Sequence, residues 1–105
     1  MAMVFTDDNF EEEVLKSEIP VMVDLYTDWC GPCQVMGPII DELADEYEGR
    51  IKIGKLNAEE NMDTSAEYDV MSVPTYLFFK DGEAFTRFSG GTTKGALKDI
   101  LERML

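Results

Sequence analysis

The sequence predicts an α/β domain built on a mixed sheet, and three observations predict it. The segment IPVMVDLY, residues 19–26, is apolar on both alternating faces, as a central strand covered on each side must be. A helical pattern then leads to a second strand-like segment, IKIGKLN at 51–57, across a connection long enough for a right-handed parallel crossover. Farther on, TYLFFK and EAFTRF flank Asp81-Gly82, a dipeptide suited to the two-residue turn of an antiparallel hairpin. Parallel pairing early and antiparallel pairing late make a mixed sheet with helices on both faces.

In chain order, a short apolar stretch at 3–5 comes first. Thr6 can then cap a helix whose first turn carries Asp7 and Asp8 and whose inner stripe is Phe10 and Val14. After the first central strand, Val35, Ile39, Leu43 and Tyr47 recur at helical spacing, with Met36, Ile40 and Ala44 beside them. Pro38 lies inside that pattern and is expected to kink the helix, and Gly49 to end it. A weaker helical segment covers 62–68 between the second strand and the hairpin. Leu97, Ile100, Leu101 and Met104 mark a closing helix with one inward face.

Hydrophobic residues make up 45% of the chain and charged residues 30%, the balance of a globular protein. A chain of 105 residues supplies one core, so 1–105 reads as a single domain. No apolar run approaches the roughly 20 residues that cross a bilayer. MAMVFTDDNF has neither the basic start nor the long apolar stretch of a signal peptide, which makes the cytoplasm the expected location. In a reducing compartment the thiol pool opens a purely structural disulfide, so a cysteine pair there points to catalysis or metal binding. With 22 acidic and 9 basic residues the formal net charge is -13. Such a surface repels phosphate backbones and anionic lipid, so neither nucleic acid nor membrane is an expected partner; the acidity serves solubility or, alternatively, attracts basic protein partners.

The only two cysteines, Cys30 and Cys33, stand at the junction of the first central strand and the long helix. Their spacing sets both sulfurs on one side of the first turn, where they can approach each other. A bond between them would close a very small loop and add little stability, so stapling is a poor reason for the pair. Pro32 suits the first helical position because its missing N–H has no partner there in any case. The helix start also gathers unpaired N–H groups and the positive end of the helix dipole, both of which favour an anion at Cys30. The thiolate is the reactive form of cysteine, and about 2 kcal/mol of preferential stabilisation lowers a thiol by roughly one and a half pKa units. A helix terminus is of that size, so no histidine is needed, and the chain has none. A closed zinc site needs four ligands; with no other Cys and no His, a metal could be held only by sharing between two chains or by recruiting carboxylates.

Asp24 interrupts an otherwise apolar strand, which buries a carboxylate at the cost of its hydration and raises its pKa. The strand leads into the dithiol, so Asp24 can exchange a proton with Cys33 through water; the alternative is a structural carboxylate paired with a buried base. Lys55 shares a strand face with Ile51 and Ile53 and could meet Asp24 if the two strands are neighbours, or it could simply reach out to solvent.

These segments resemble the thioredoxin family. The likeness runs from TDDNFEEEVL through VDLYTDWCGPC, PIIDELADEY, IGKLN and VPTYLFFKDGE to SGGTTKGALKDIL, and WCGPC at a strand-to-helix junction with VPT and a Gly pair downstream is far more specific than a lone CxxC. The resemblance implies a thioredoxin fold, a central mixed five-stranded sheet flanked by four helices. It implies a monomer without cofactor that exchanges thiols for disulfides in disulfide-containing protein substrates and is recharged by a flavoprotein thioredoxin reductase. Cys30 matches the attacking cysteine and Cys33 the buried resolving one, the two cycling between dithiol and disulfide. Asp24 and Lys55 match the buried acid and its lysine partner. Pro74 matches a cis-proline facing the dithiol, beside which the backbone of Val73 pairs with an extended substrate segment. By itself Pro74 is an ordinary X-Pro turn, a class in which roughly 5% of bonds are cis. Trp29, Gly31 and Pro32 match the substrate-facing rim, and Gly90 the position that leaves room for substrate backbone. On their residue types alone, Trp29 could equally be core packing and Gly90 a simple turn.

Two positions depart from the family pattern. Tyr26 stands where a tryptophan is common, and Gln34 where a lysine or arginine commonly follows the second cysteine. With that cation missing and Asp28 close by, the Cys30 thiolate is somewhat disfavoured, an effect that screening over about 8 Å keeps local. Gly31 and Pro32 add no stabilisation to the thiolate, unlike the histidine of oxidising relatives, so the dithiol is expected to be a reductant. The competing function is a docking or clamp subunit in which the redox chemistry is incidental.

Overall fold

The computed structural model describes residues 1–105. Five strands, β1 (Met3–Val4), β2 (Val21–Tyr26), β3 (Lys52–Asn57), β4 (Thr75–Lys80) and β5 (Glu83–Ser89), form one sheet in the order β1-β3-β2-β4-β5. The β1–β3 and β3–β2 pairs are parallel; the β2–β4 and β4–β5 pairs are antiparallel. A single π-helical turn (Glu11–Leu15) and three helices, α1 (Gly31–Glu46), α2 (Met62–Glu67) and α3 (Lys94–Arg103), complete the expected mixed sheet with four helical segments. At the hairpin, Asp81 and Gly82 both take positive φ, 54° and 79°, the combination a tight two-residue turn requires.

β2 lies between β3 and β4, and its alternating side chains enter two cores. Val21, Val23 and Leu25 join Phe5, Phe10 and Val14 on one face. Met22 joins Ile40, Leu43, Tyr76 and Leu101 under α1 and α3 on the other. Burial of each such side chain contributes about 1.5–3 kcal/mol, enough to fix the register of β2 because a one-residue slip would exchange its faces. Asp24 is in phase with Met22, and so sits beneath α1.

The structure corrects the pattern of the long helix. Its buried positions are Cys33, Met36, Ile40 and Leu43, followed by Tyr47 at its end, whereas Val35 is 71% exposed. Steps alternating three and four stay on one helical face, while repeated steps of four drift off it, so Val35 rotates out to solvent. The helix runs through Pro38 and ends at Glu46, before Gly49. The N-terminal segment also differs. Thr6 does not cap the helical turn, which begins at Glu11 behind Phe10 with no side-chain cap; it closes the preceding turn, its Oγ1 accepting from the Asn9 N–H (3.2 Å) while Asn9 Oδ1 accepts from the Thr6 N–H (2.7 Å). The turn that follows is wide, however, with the Lys16 N–H donating to the Glu11 carbonyl five residues back. Asp7 reaches away from it to α2, where its carboxylate accepts from the Thr64 N–H (2.9 Å) and hydroxyl (2.6 Å).

Candidate active site

Two elements deliver the reacting groups to one end of the sheet. β2 ends at Tyr26, and the chain then turns through 27–30 so that Cys30, in extended conformation, becomes the N-cap of α1. Its Sγ accepts from the Cys33 N–H at 3.1 Å, so an orphan amide of the helix start points at the sulfur that would carry charge. The two cysteines are joined as a disulfide. Cys33 is buried and Cys30 only half-buried, so a substrate sulfur reaches Cys30 first.

Behind Cys33 a cavity of about 380 Å³ is lined by Asp24, Tyr26, Gly37, Asp41 and Lys55. Asp24 is 2% exposed, and its Oδ1 has no hydrogen-bond partner. Burial pushes its carboxyl from the usual 3.8 up to about 7, against the opposing pull of the Lys55 ammonium. A carboxyl that titrates near neutrality beside a buried sulfur can take or give a proton there.

Lys55 is the direct register partner of Asp24 on β3, so the two strands are neighbours, as the pairing of these residues requires. Its ammonium nevertheless makes its ion pair with Asp41 of α1, at 3.4 Å, and acts on Asp24 only through space. Asp24 is therefore not the structural half of a buried salt bridge. Asp41 escaped the sequence reading, though Cys33, Gly37 and Asp41 stand on successive turns of α1 and all three line the cavity. A Cβ at Gly37 would make ordinary contact with Lys55 Nζ, at 3.6 Å. The Ala2 N–H and then Lys55 hold Asp41 below its usual carboxylate range.

The register Leu25↔Thr75 sets the segment before β4 at the same end of the sheet as Cys30. There Val73-Pro74 is cis, as the family likeness implied and the residues alone did not. No hydrogen bond within the chain uses the Val73 backbone. Gly90 donates its N–H to the Pro74 carbonyl (2.9 Å) with φ at +98°, a conformation that favours glycine, and a Cβ there would meet nothing in the chain. Trp29 is 86% exposed, which removes the core-packing alternative, and Gly31 and Pro32 are exposed beside it.

The profile of the family described as Thioredoxin matches residues 1–103. The chain belongs to the thioredoxin family. It is 42% identical to the thioredoxin of Synechocystis sp. over 95% of this chain and 94% of that one. Its identity to the thioredoxin of Pseudomonas aeruginosa is 43%, over 92% and 90% of the two chains. With the M-type chloroplastic thioredoxin of Spinacia oleracea it shares 46% over 94% of this chain, which spans 55% of that relative's length. Together with the bonded Cys30 and Cys33, this likeness makes the protein a thioredoxin-type dithiol–disulfide reductase, a thiol–disulfide oxidoreductase, in preference to a docking subunit. At the position where thioredoxins commonly carry a cation, Gln34 donates from Nε2 to the Asp28 carbonyl (3.3 Å), so this thioredoxin has a neutral group beside its sulfurs.

Proposed function

We propose that this thioredoxin reduces protein disulfides by a two-step exchange. The Cys30 thiolate attacks one sulfur of the substrate disulfide; a mixed disulfide forms and the first substrate sulfur leaves as thiolate. Cys33 gives its proton to Asp24 through the cavity and attacks Cys30 Sγ, so the second substrate sulfur leaves and the Cys30–Cys33 disulfide forms. Two electrons pass to the substrate, and all of them come from sulfur, so no cofactor is needed. Lys55 tunes Asp24 from the far side of the cavity. The substrate segment lies along Val73 and Pro74, over Trp29, Gly31 and Pro32, with Gly90 giving its backbone space. A thioredoxin reductase restores the dithiol.

The observation that carries this reading is the pairing of an accessible capping sulfur with a buried one that opens onto a buried carboxyl. The protein acts as a monomer in a reducing compartment, the cytoplasm, on protein partners and not on nucleic acid or membrane. Its formal charge of -13 supports that choice of partner, and no helix is long and apolar enough to cross a membrane. The test is to mix the reduced Cys33→Ser variant with a disulfide-bonded protein such as insulin. A covalent one-to-one adduct that added thiol releases is expected, and Cys30→Ser should form none. A folded Cys33→Ser variant that forms no adduct overturns the reading.

A further inference from the structure

The loop between α2 and β4 is held from β5. Its second residue, Asp69, has φ +51°, uncommon for a residue with a side chain, and the turn leaves the carbonyls of Tyr68 and Asp69 beyond the end of α2. Arg87 of β5 covers both: Nη1 donates to the Tyr68 carbonyl at 2.6 Å and Nη2 to the Asp69 carbonyl at 3.4 Å. Those are its hydrogen bonds in the chain, and a planar guanidinium is the side chain whose fork can span two carbonyls. At the other end, Thr75 Oγ1 donates to the Ser72 carbonyl (2.7 Å) and lies 2.9 Å from Ser89 Oγ of β5. Between these ties Met71 is 91% exposed, and the loop runs into the free backbone of Val73.

We propose that Arg87 is a positioning residue for protein substrates: by tying the end of α2 to β5 it presets the Val73 edge on which an extended disulfide-bearing segment is to pair. The inference rests on the assignment of Val73 to substrate pairing. A loop ordered before binding does not have to be ordered by the substrate, so the gain is in affinity. Arg87 takes no part in the exchange itself, and a small disulfide that reaches Cys30 without touching the loop gains nothing from it.

The experiment compares wild type, Arg87→Met and Arg87→Lys on insulin and on a small aromatic disulfide. For Arg87→Met, KM for insulin should rise about five- to tenfold with kcat unchanged, a loss of uniform binding. The rate with the small disulfide should stay the same, and Arg87→Lys, able to reach one carbonyl, should recover part of the loss. Amide exchange at 70–73 should quicken in Arg87→Met. An unchanged KM for insulin overturns the proposal, even if stability falls, because Arg87 is then structural only. Equal losses on both substrates overturn it too, since the dithiol itself is then disturbed. Failure of Cys33→Ser to trap insulin would strike the exchange mechanism; trapping without an Arg87 effect would strike only this inference.

Discussion

Asp24 is where folding and chemistry pull in opposite directions. Desolvation raises its carboxyl from 3.8 to about 7, so the folded state holds the proton more tightly than the unfolded chain does. Its contribution to stability therefore falls as pH rises from about 4 to about 7, and above 7 the full cost of about 4 kcal/mol is in force. Asp24→Asn, which has no charge to bury, should be more stable than wild type at pH 8 by up to about 4 kcal/mol, with the advantage shrinking towards pH 4. Urea denaturation at the two pH values checks this, and a constant difference would contradict it. Under the proposed exchange the same variant should also cycle more slowly, since it offers Cys33 no proton acceptor. The opening of a polar cavity onto Asp24 explains why so costly a residue sits in the central strand.

At the level of elements, the strand and helix contacts around the N-terminal segment are tight enough to test. On β3, Gly54 lies under Phe5, and a Cβ there would fall 2.4 Å from the Phe5 ring. Gly54→Ala should thus cost about 1–3 kcal/mol in urea unfolding, and Phe5→Leu in the same chain should return part of it; simple addition of the two losses would argue against the contact. Asp7 joins this segment to α2. Burial pushes its carboxyl up, but hydrogen bonds from Thr64 and Asp63 outweigh that and hold it below 3.8. Its stabilisation is accordingly present above about 4 and lost as pH falls below its folded value. Asp7→Ala should cost about 1–2 kcal/mol at pH 7 and progressively less in acid, measured by the same titration. The sequence offered Thr6 as a local cap but not Asp7 as a distant one, since the partner of Asp7 lies on another helix.

For the whole molecule, the charge of -13 governs encounter. Only opposite charge on the partner turns that field into attraction, and screening shortens its reach to about 10 Å at 0.1 M salt. Reduction of a peptide disulfide flanked by lysines should slow several-fold between 10 and 200 mM salt, and that of the glutamate-flanked analogue should quicken. Stopped-flow rates across that range decide it; rates insensitive to salt would mean that contact chemistry alone selects the partner.

Local order was legible in the sequence because its causes are local. The apolar run of β2, the Asp81-Gly82 turn, and the place of Cys30 and Cys33 at the start of α1 each follow from residues a few positions apart, although the helix begins at Gly31, one residue before the Pro32 that the sequence set first. The buried stripe of α1 was legible only in part, with Val35 on the wrong side, because the choice between adjacent helical faces is made by what the helix packs against. Tertiary structure alone decided the rest. Lys55 pairs with Asp41 and not with Asp24, and Arg87 ties β5 to the end of α2. Residue types alone left Pro74 a common trans turn, and Val73-Pro74 is cis in the folded chain. The ties of Lys55 and Arg87 join elements distant along the chain, and no spacing rule can weigh a partner that only folding brings within reach.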